Sequence, residues 1–153
     1  MSHAVSEAAI FVGIQASGKS TFYRQRLFDT HVRISLDMLH TRRREQLLVA
    51  ACLEAGQSFV IDNTNPSPED RARYIEPARR EDFRVVAYFF ETSLADAIGR
   101  NKLRPGKQNI PIPGIHLAFS KLKAPALSEG FDAIYTVRIA GDGEFVVTSS
   151  LRQ

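Results

Sequence analysis

The sequence holds no tryptophan and one cysteine, Cys52, in 153 residues. A single thiol excludes an internal disulfide and agrees with a reducing compartment, so a cytoplasmic protein is expected. Cys52 lies in an apolar-periodic stretch and is expected to be a small core residue. No run approaches the ~20 apolar residues that a membrane-spanning helix requires. The N-terminus, MSHAVSEAAIFVG, lacks the basic start and small-residue cleavage site of a secretory signal. The histidines His3, His31, His40 and His116 fall at no metal-ligand spacing. Repeats, low-complexity tracts and linkers are also missing, so one domain is expected over residues 1–153. The formal charge of +3 is compatible with a polyanionic partner without demanding one.

What is present alternates between two periodicities, the pattern of a parallel sheet covered on both faces. Ala8 to Gly13 (AAIFVG) reads as a buried strand, followed by a helix from about Lys19 to Phe28. Val32 to Ser35 reads as a second strand. Leu39, Leu47, Leu48 and Ala51 then suggest one long helix from Asp37 to Ala55, stopped by Gly56. Ser58 to Ile61 is a third strand ending at Asp62. Ser67, Pro68, Glu69 and Asp70 form a strong helix start: a capping hydroxyl, proline in the first turn, acids at the positive end of the dipole. Arg84 to Glu91 reads as a fourth strand, and Ser93 caps a helix over Leu94 to about Leu103. The proline- and glycine-rich segment RPGKQNIPIP, 104–113, is expected as an exposed loop. A helix is expected over His116 to Lys123, and strands over Ile134 to Ile139 and Phe145 to Thr148.

Gly13 to Ser20, GIQASGKS, satisfies the pattern G-x-x-x-x-G-K-[ST] in full, after an expected strand and before an expected helix. The glycines let the backbone curl until its N–H groups converge, and the helix adds its positive end, so the loop is a prepared triphosphate site. Gly13, Gln15, Ala16, Ser17 and Gly18 form the cradle. Lys19 supplies a cation to the β- and γ-phosphates, Ser20 ligates Mg²⁺, and Thr21 adds a hydroxyl to the α-phosphate. ATP and Mg²⁺ are the implied cofactors.

The acceptor needs its own chemistry. A kinase of this architecture places a carboxylate near the γ-phosphate to take the acceptor's proton, and strand carboxyl ends face the ligand. Asp37 and Asp62 are both so placed, and their spacing alone leaves base and metal-side roles interchangeable. Arg100, Lys102, Arg104 and Lys107 straddle the 104–113 loop, where a closing lid brings a cation to the phosphoryl group. Arg71 and Arg73 open the helix after Ser67, and Arg42, Arg43 and Arg44 lie on the long helix.

Taken together these segments resemble the kinase domain of polynucleotide kinases, which phosphorylate 5′-hydroxyl ends of DNA or RNA. The resemblance spans about Phe11 to Ile139 and rests on GIQASGKSTF, RISLD at Arg33 to Asp37, and VIDNTNP at Val60 to Pro66. It continues through RARY at Arg71 to Tyr74, Arg100 and Asn101 before the loop, Ile110 and Pro111 after it, and PALSEGF at Pro125 to Phe131. It implies a P-loop kinase-type three-layer α/β sandwich with a mostly parallel sheet and a mobile lid. It makes Asp37 the general base, Asp62 a magnesium-side or substrate-orienting acid, and Arg100 and Arg104 phosphate contacts. Arg71 becomes a contact to nucleic acid, with Arg73 beside it. The chain departs from the family at Leu36, where an arginine is usual, and at His40, where phage-type members carry a second. Those departures favour a rival reading, a kinase of a sugar, nucleoside, antibiotic or nucleotide-sugar. A nucleotide-binding module without transfer is the alternative from another class, and retention of both aspartates argues against it.

Overall fold

The computed structural model describes residues 5–106 and 109–149; His3 and Lys107 lie outside them. Six strands form one sheet in the order β2-β3-β1-β4-β5-β6. They are β1 (Glu7–Val12), β2 (Val32–Ile34), β3 (Phe59–Ile61), β4 (Arg84–Phe90), β5 (Ala133–Ile139) and β6 (Phe145–Ser149). All neighbours are parallel except β5 and β6, which pair antiparallel around the turn after Ile139. The apolar run of β1 explains its central place: Ala8 to Val12 are fully buried, as a strand covered on both faces demands.

The α-helices among the described residues are α1 (Lys19–Arg26), α2 (Leu36–Leu39), α3 (Arg42–Ala55), α4 (Pro68–Arg80), α5 (Leu94–Lys102) and α6 (Ile112–Lys121). α1 covers one face through Phe22, Tyr23 and Leu27, against Phe11, Val60 and Phe90. α3 and α4 cover the other with Val49, Cys52, Tyr74, Ile75 and Ala78 against Ile10, Ile34 and Ile61. Cys52 is thus the core residue expected, and burial pushes its thiol pKa up. A third cluster packs Ala97 of α5 and Ile115 of α6 beneath Ile14 of the phosphate loop.

Most boundaries fall within two residues of the sequence reading, and the expected caps are in place. Ser67 accepts from the Asp70 N–H and Ser93 from the Asp96 N–H, while Gly56 ends α3 at φ 70°. Two expectations need correction. The long helix from Asp37 to Ala55 is two helices. His40 turns left-handed at φ 71°, and Thr41 then caps α3 by accepting from the Arg44 N–H, which competes with continuing the helix. The other is α6, which begins at Ile112 and not at His116, with Pro113 tolerated in its first turn.

Candidate functional site

The strand order puts the phosphate loop after β1 beside the end of β3, because the chain crosses from β1 to β2 and returns to β3 alongside β1. That reversal is where ligand crevices form in open α/β sheets. The loop's conformation depends on its glycines. A Cβ on Gly13 would lie 2.9 Å from both Phe90 Cβ and Ser17 Oγ, and Gly18 sits at φ 96° at the start of α1. Side chains are excluded at the first position by space and at the second by backbone sterics. Behind Gly18 stand Ile139 and Phe145, so the β5–β6 hairpin buttresses the cradle.

A cleft of about 510 Å³ opens over the loop. Gln15, Ala16, Gly18, Lys19, Ser20 and Thr21 line one side, Asp37 and Asp62 another, and Arg100 and Arg104 the third. Gly13 is buried beneath it. Ser17 faces an adjoining cleft of about 350 Å³ together with Glu91, Asp96, Arg100 and Arg138. Lys19 folds its ammonium onto the loop, donating to the Gly13 carbonyl at 3.0 Å and that of Ile14 at 2.8 Å. Loss of hydration lowers its pKa to about 8; Asp62 and Asp37 oppose that shift, while Arg104 adds to it. The cleft lining holds four basic side chains, Lys19, Arg24, Arg100 and Arg104, against two carboxylates, Asp37 and Asp62. The buried Ser17 hydroxyl and Arg104 Nη1 have no hydrogen-bond partner among the described residues. Orphaned donors in a cationic cleft are what an anionic ligand would satisfy.

The two aspartates differ. Asp62 is 5% exposed and its Oδ2 accepts from Ser20 Oγ at 2.9 Å and from Arg33 Nε at 2.8 Å. Asp37 is exposed, in the first turn of α2, and makes no hydrogen bond or ion pair among the described residues. Ser20 and Asp62 are hard oxygen donors beside a phosphate cradle, the kind of set magnesium takes when phosphates and water complete it. No cluster of three or more His, Cys, Asp or Glu side chains suited to a metal occurs among the described residues.

Asp62, Asn63 and Thr64 of the DNTNP–RARY segment line the cleft, while most of the segment's other polar groups hold the scaffold together. Asn63 Oδ1 accepts from the Leu36 N–H at 2.9 Å and so holds the start of α2, one residue before Asp37. Its amide donates to Glu45, a carboxylate 1% exposed that also receives Arg42 and the Tyr74 hydroxyl. Asn65 donates to the Phe11 carbonyl, and the Gly13 N–H to that of Thr64, tying the loop's base to the end of β3. Arg71 corrects the expectation of a nucleic-acid contact. It is 0% exposed and pairs with Glu129 through Nε at 2.9 Å and Nη2 at 3.1 Å, while Nη1 serves the Asn65 and Lys123 carbonyls. A guanidinium with no accessible surface cannot meet a strand. Arg73, on the same helix, is exposed but lines neither cleft.

Sequence reasoning missed Arg33, whose Nη2 also donates to Ser20 Oγ at 3.2 Å. Its signal was a charge between two apolar residues of a three-residue strand. It also left Asn101 without a role. This residue, 2% exposed, bonds both the carbonyl and the N–H of Ile110 and so ties the last turn of α5 to Ile110.

A model of the AAA domain family matches residues 9–124, most of the chain. The chain belongs to that family. The bifunctional polynucleotide phosphatase/kinase of Schizosaccharomyces pombe is 27% identical over 135 residues, covering 86% of this chain and 33% of the relative. The chain thus spans about a third of the length of that relative. Among solved structures, a gluconokinase from Sinorhizobium meliloti superposes with a TM-score of 0.64 at 17% identity, over 90% of this chain and 85% of that one. A fungal RNA kinase does so at 0.65 and 17%, over 88% of this chain and 38% of the other. The expected P-loop kinase-like α/β fold is therefore the fold of this AAA domain.

Proposed function

We propose that the chain is an ATP-dependent phosphotransferase that moves the γ-phosphate to a hydroxyl, with the 5′-hydroxyl of a polynucleotide as its acceptor. The observation that carries the reading is one cleft in which the Lys19–Ser20 cradle faces a carboxylate, Asp37, that has no hydrogen bond or ion pair among the described residues. In the reaction the bond from the γ-phosphorus to its bridging oxygen breaks and a bond to the acceptor oxygen forms. Asp37 takes the acceptor's proton, and ADP leaves. Having no hydrogen bond or ion pair among the described residues suits Asp37 to that role, whereas Asp62, held by Ser20 and Arg33, suits the metal side. Magnesium, when bound, neutralises phosphate charge, and Ser20 and Asp62 are the residues that would hold it. Lys19, Arg100 and Arg104 spread the remaining charge of the transferring group. The adjoining cleft beside Ser17 gives the nucleoside end of ATP room to extend.

The polynucleotide acceptor rests on the phosphatase/kinase relative and on the exposed Arg73 and Arg43. A second reading, a small-molecule kinase, is favoured by Leu36 in the cleft where the polynucleotide kinases usually carry arginine, by the burial of Arg71, and by the gluconokinase likeness. The test is γ-labelled ATP with magnesium, offered 5′-hydroxyl DNA, 5′-hydroxyl RNA, gluconate and nucleosides in parallel. Label on an oligonucleotide end supports the first reading. Label only on a small acceptor replaces it with the second, and label on none returns the chain to a nucleotide-binding module.

A further inference from the structure

Arg33 takes no part in the mechanism above, yet it occupies the metal side of the cleft. Its Nε lies 2.8 Å from Asp62 Oδ2 and its Nη2 lies 3.2 Å from Ser20 Oγ, while Ser20 Oγ itself donates to the same Oδ2 at 2.9 Å. One carboxylate oxygen thus accepts two bonds, and the serine hydroxyl is engaged both as donor and as acceptor. The Asp62 side chain is 2% exposed and that of Arg33 27%, so the guanidinium approaches from the solvent side and has a way out. We propose that Arg33 is a resident cation of the Ser20–Asp62 pair that magnesium must displace, so that metal entry and release of Arg33 are one coupled event.

Three physical points carry this. Ser20 Oγ gives its proton to Asp62 and one of its two lone pairs to Arg33, so a single lone pair is left for a metal, directly beside the guanidinium charge. A guanidinium does not deprotonate in proteins, so its charge leaves the pair only if the side chain moves. Arg33 Nε sits 2.8 Å from Asp62 Oδ2, so guanidinium and divalent cation compete for the one carboxylate of the pair, and their mutual repulsion opposes sharing it even with the triphosphate offsetting part of the charge. The arrangement satisfies the buried Asp62 carboxylate, costly to leave alone, when no metal is bound. The inference rests on the proposed metal role of Ser20 and Asp62.

Two measurements decide it, neither depending on phosphate transfer. The first follows the side-chain N–H signals of wild-type protein carrying isotope-labelled arginine, with adenylyl imidodiphosphate present and magnesium added last. The Arg33 Nε–H signal, assigned by its loss in Arg33→Lys, is expected to be slow-exchanging before magnesium and to shift and exchange rapidly after it. A signal that magnesium leaves unmoved overturns the proposal. The second is manganese binding by electron paramagnetic resonance to the nucleotide complexes of wild type and Arg33→Gln. The variant is expected to bind manganese tighter by roughly fivefold or more, the low end of ordinary coupling between competing ligands. Equal affinity in a variant with a native melting transition overturns it. Nucleotide analogue that fails to bind wild type in calorimetry, with or without metal, would instead remove the nucleotide reading on which the proposal stands.

Discussion

Lys19 has the strongest resolved pKa shift in the cleft, and its behaviour with pH follows from the direction of that shift. Its folded pKa of about 8 lies below the ordinary 10.5. Between those values the unfolded chain holds the extra proton, so the free protein gains stability as pH rises through that window. Nucleotide binding runs the other way. A triphosphate favours the charged ammonium, so above pH 8 binding must take up a proton, and ATP affinity is expected to fall by up to about tenfold per pH unit. Calorimetry in buffers of different ionisation enthalpy reads that uptake directly. Lys19→Ala is expected to abolish turnover, weaken ATP binding and remove this component of the pH dependence. Arg104→Ala differs, because Arg104 Nη1 beside the cradle has no hydrogen-bond partner among the described residues. It is expected to lower kcat more than it changes ATP affinity, and equal loss in both would make Arg104 an ordinary ground-state contact.

Among the elements, α4 shows how chemistry suggested by a motif can turn out to be architecture. Arg71→Ala leaves the Glu129 carboxylate with its partner removed, and breaking a buried ion pair costs about 3–5 kcal/mol. The expected result is a large drop in melting temperature, with any change in oligonucleotide KM traceable to unfolded protein. Asn101→Ala removes both bonds to Ile110 and is expected to cost about 1–3 kcal/mol, read by denaturant unfolding. What the sequence made legible was local. Caps at Ser67 and Ser93, the stop at Gly56 and the glycine loop each depend on a few adjacent residues, and each is where it was expected. Partnerships across the chain were not legible. The Arg71–Glu129 pair joins residues 58 apart and the Tyr74–Glu45 bond residues 29 apart, and no periodicity records such distances. The break at His40 was hidden because residues 40–46 carry no apolar side chain to mark a change of phase, while Thr41 diverts the backbone.

For the molecule as a whole, the sheet order supplies the function's geometry: β1 lies between β3 and β4, so the cradle and Asp62 share one crevice. The acceptor side has no comparable frame. Its expected arginine is internal, and Arg73 and Arg43 remain as exposed groups for strand phosphates. If they serve a single strand, the logarithm of affinity should fall against the logarithm of salt with a slope of about −0.7 per phosphate contact. Arg73→Ala should then flatten that slope by about one contact without altering ATP binding. A slope identical in wild type and variant would remove Arg73 from the acceptor path.

The central claim, Asp37 activating a 5′-hydroxyl against ATP held by the cradle, is met most directly by one comparison. Wild type and Asp37→Ala would each be given γ-labelled ATP, magnesium and a short 5′-hydroxyl oligonucleotide, with ATP binding followed in the same samples. Label is expected on the 5′ end with wild type, and Asp37→Ala is expected to bind ATP normally while transferring roughly 10²- to 10⁴-fold more slowly, the usual worth of a general base. Transfer at the wild-type rate by Asp37→Ala, or no label on any 5′ end from wild type that binds ATP, would contradict it.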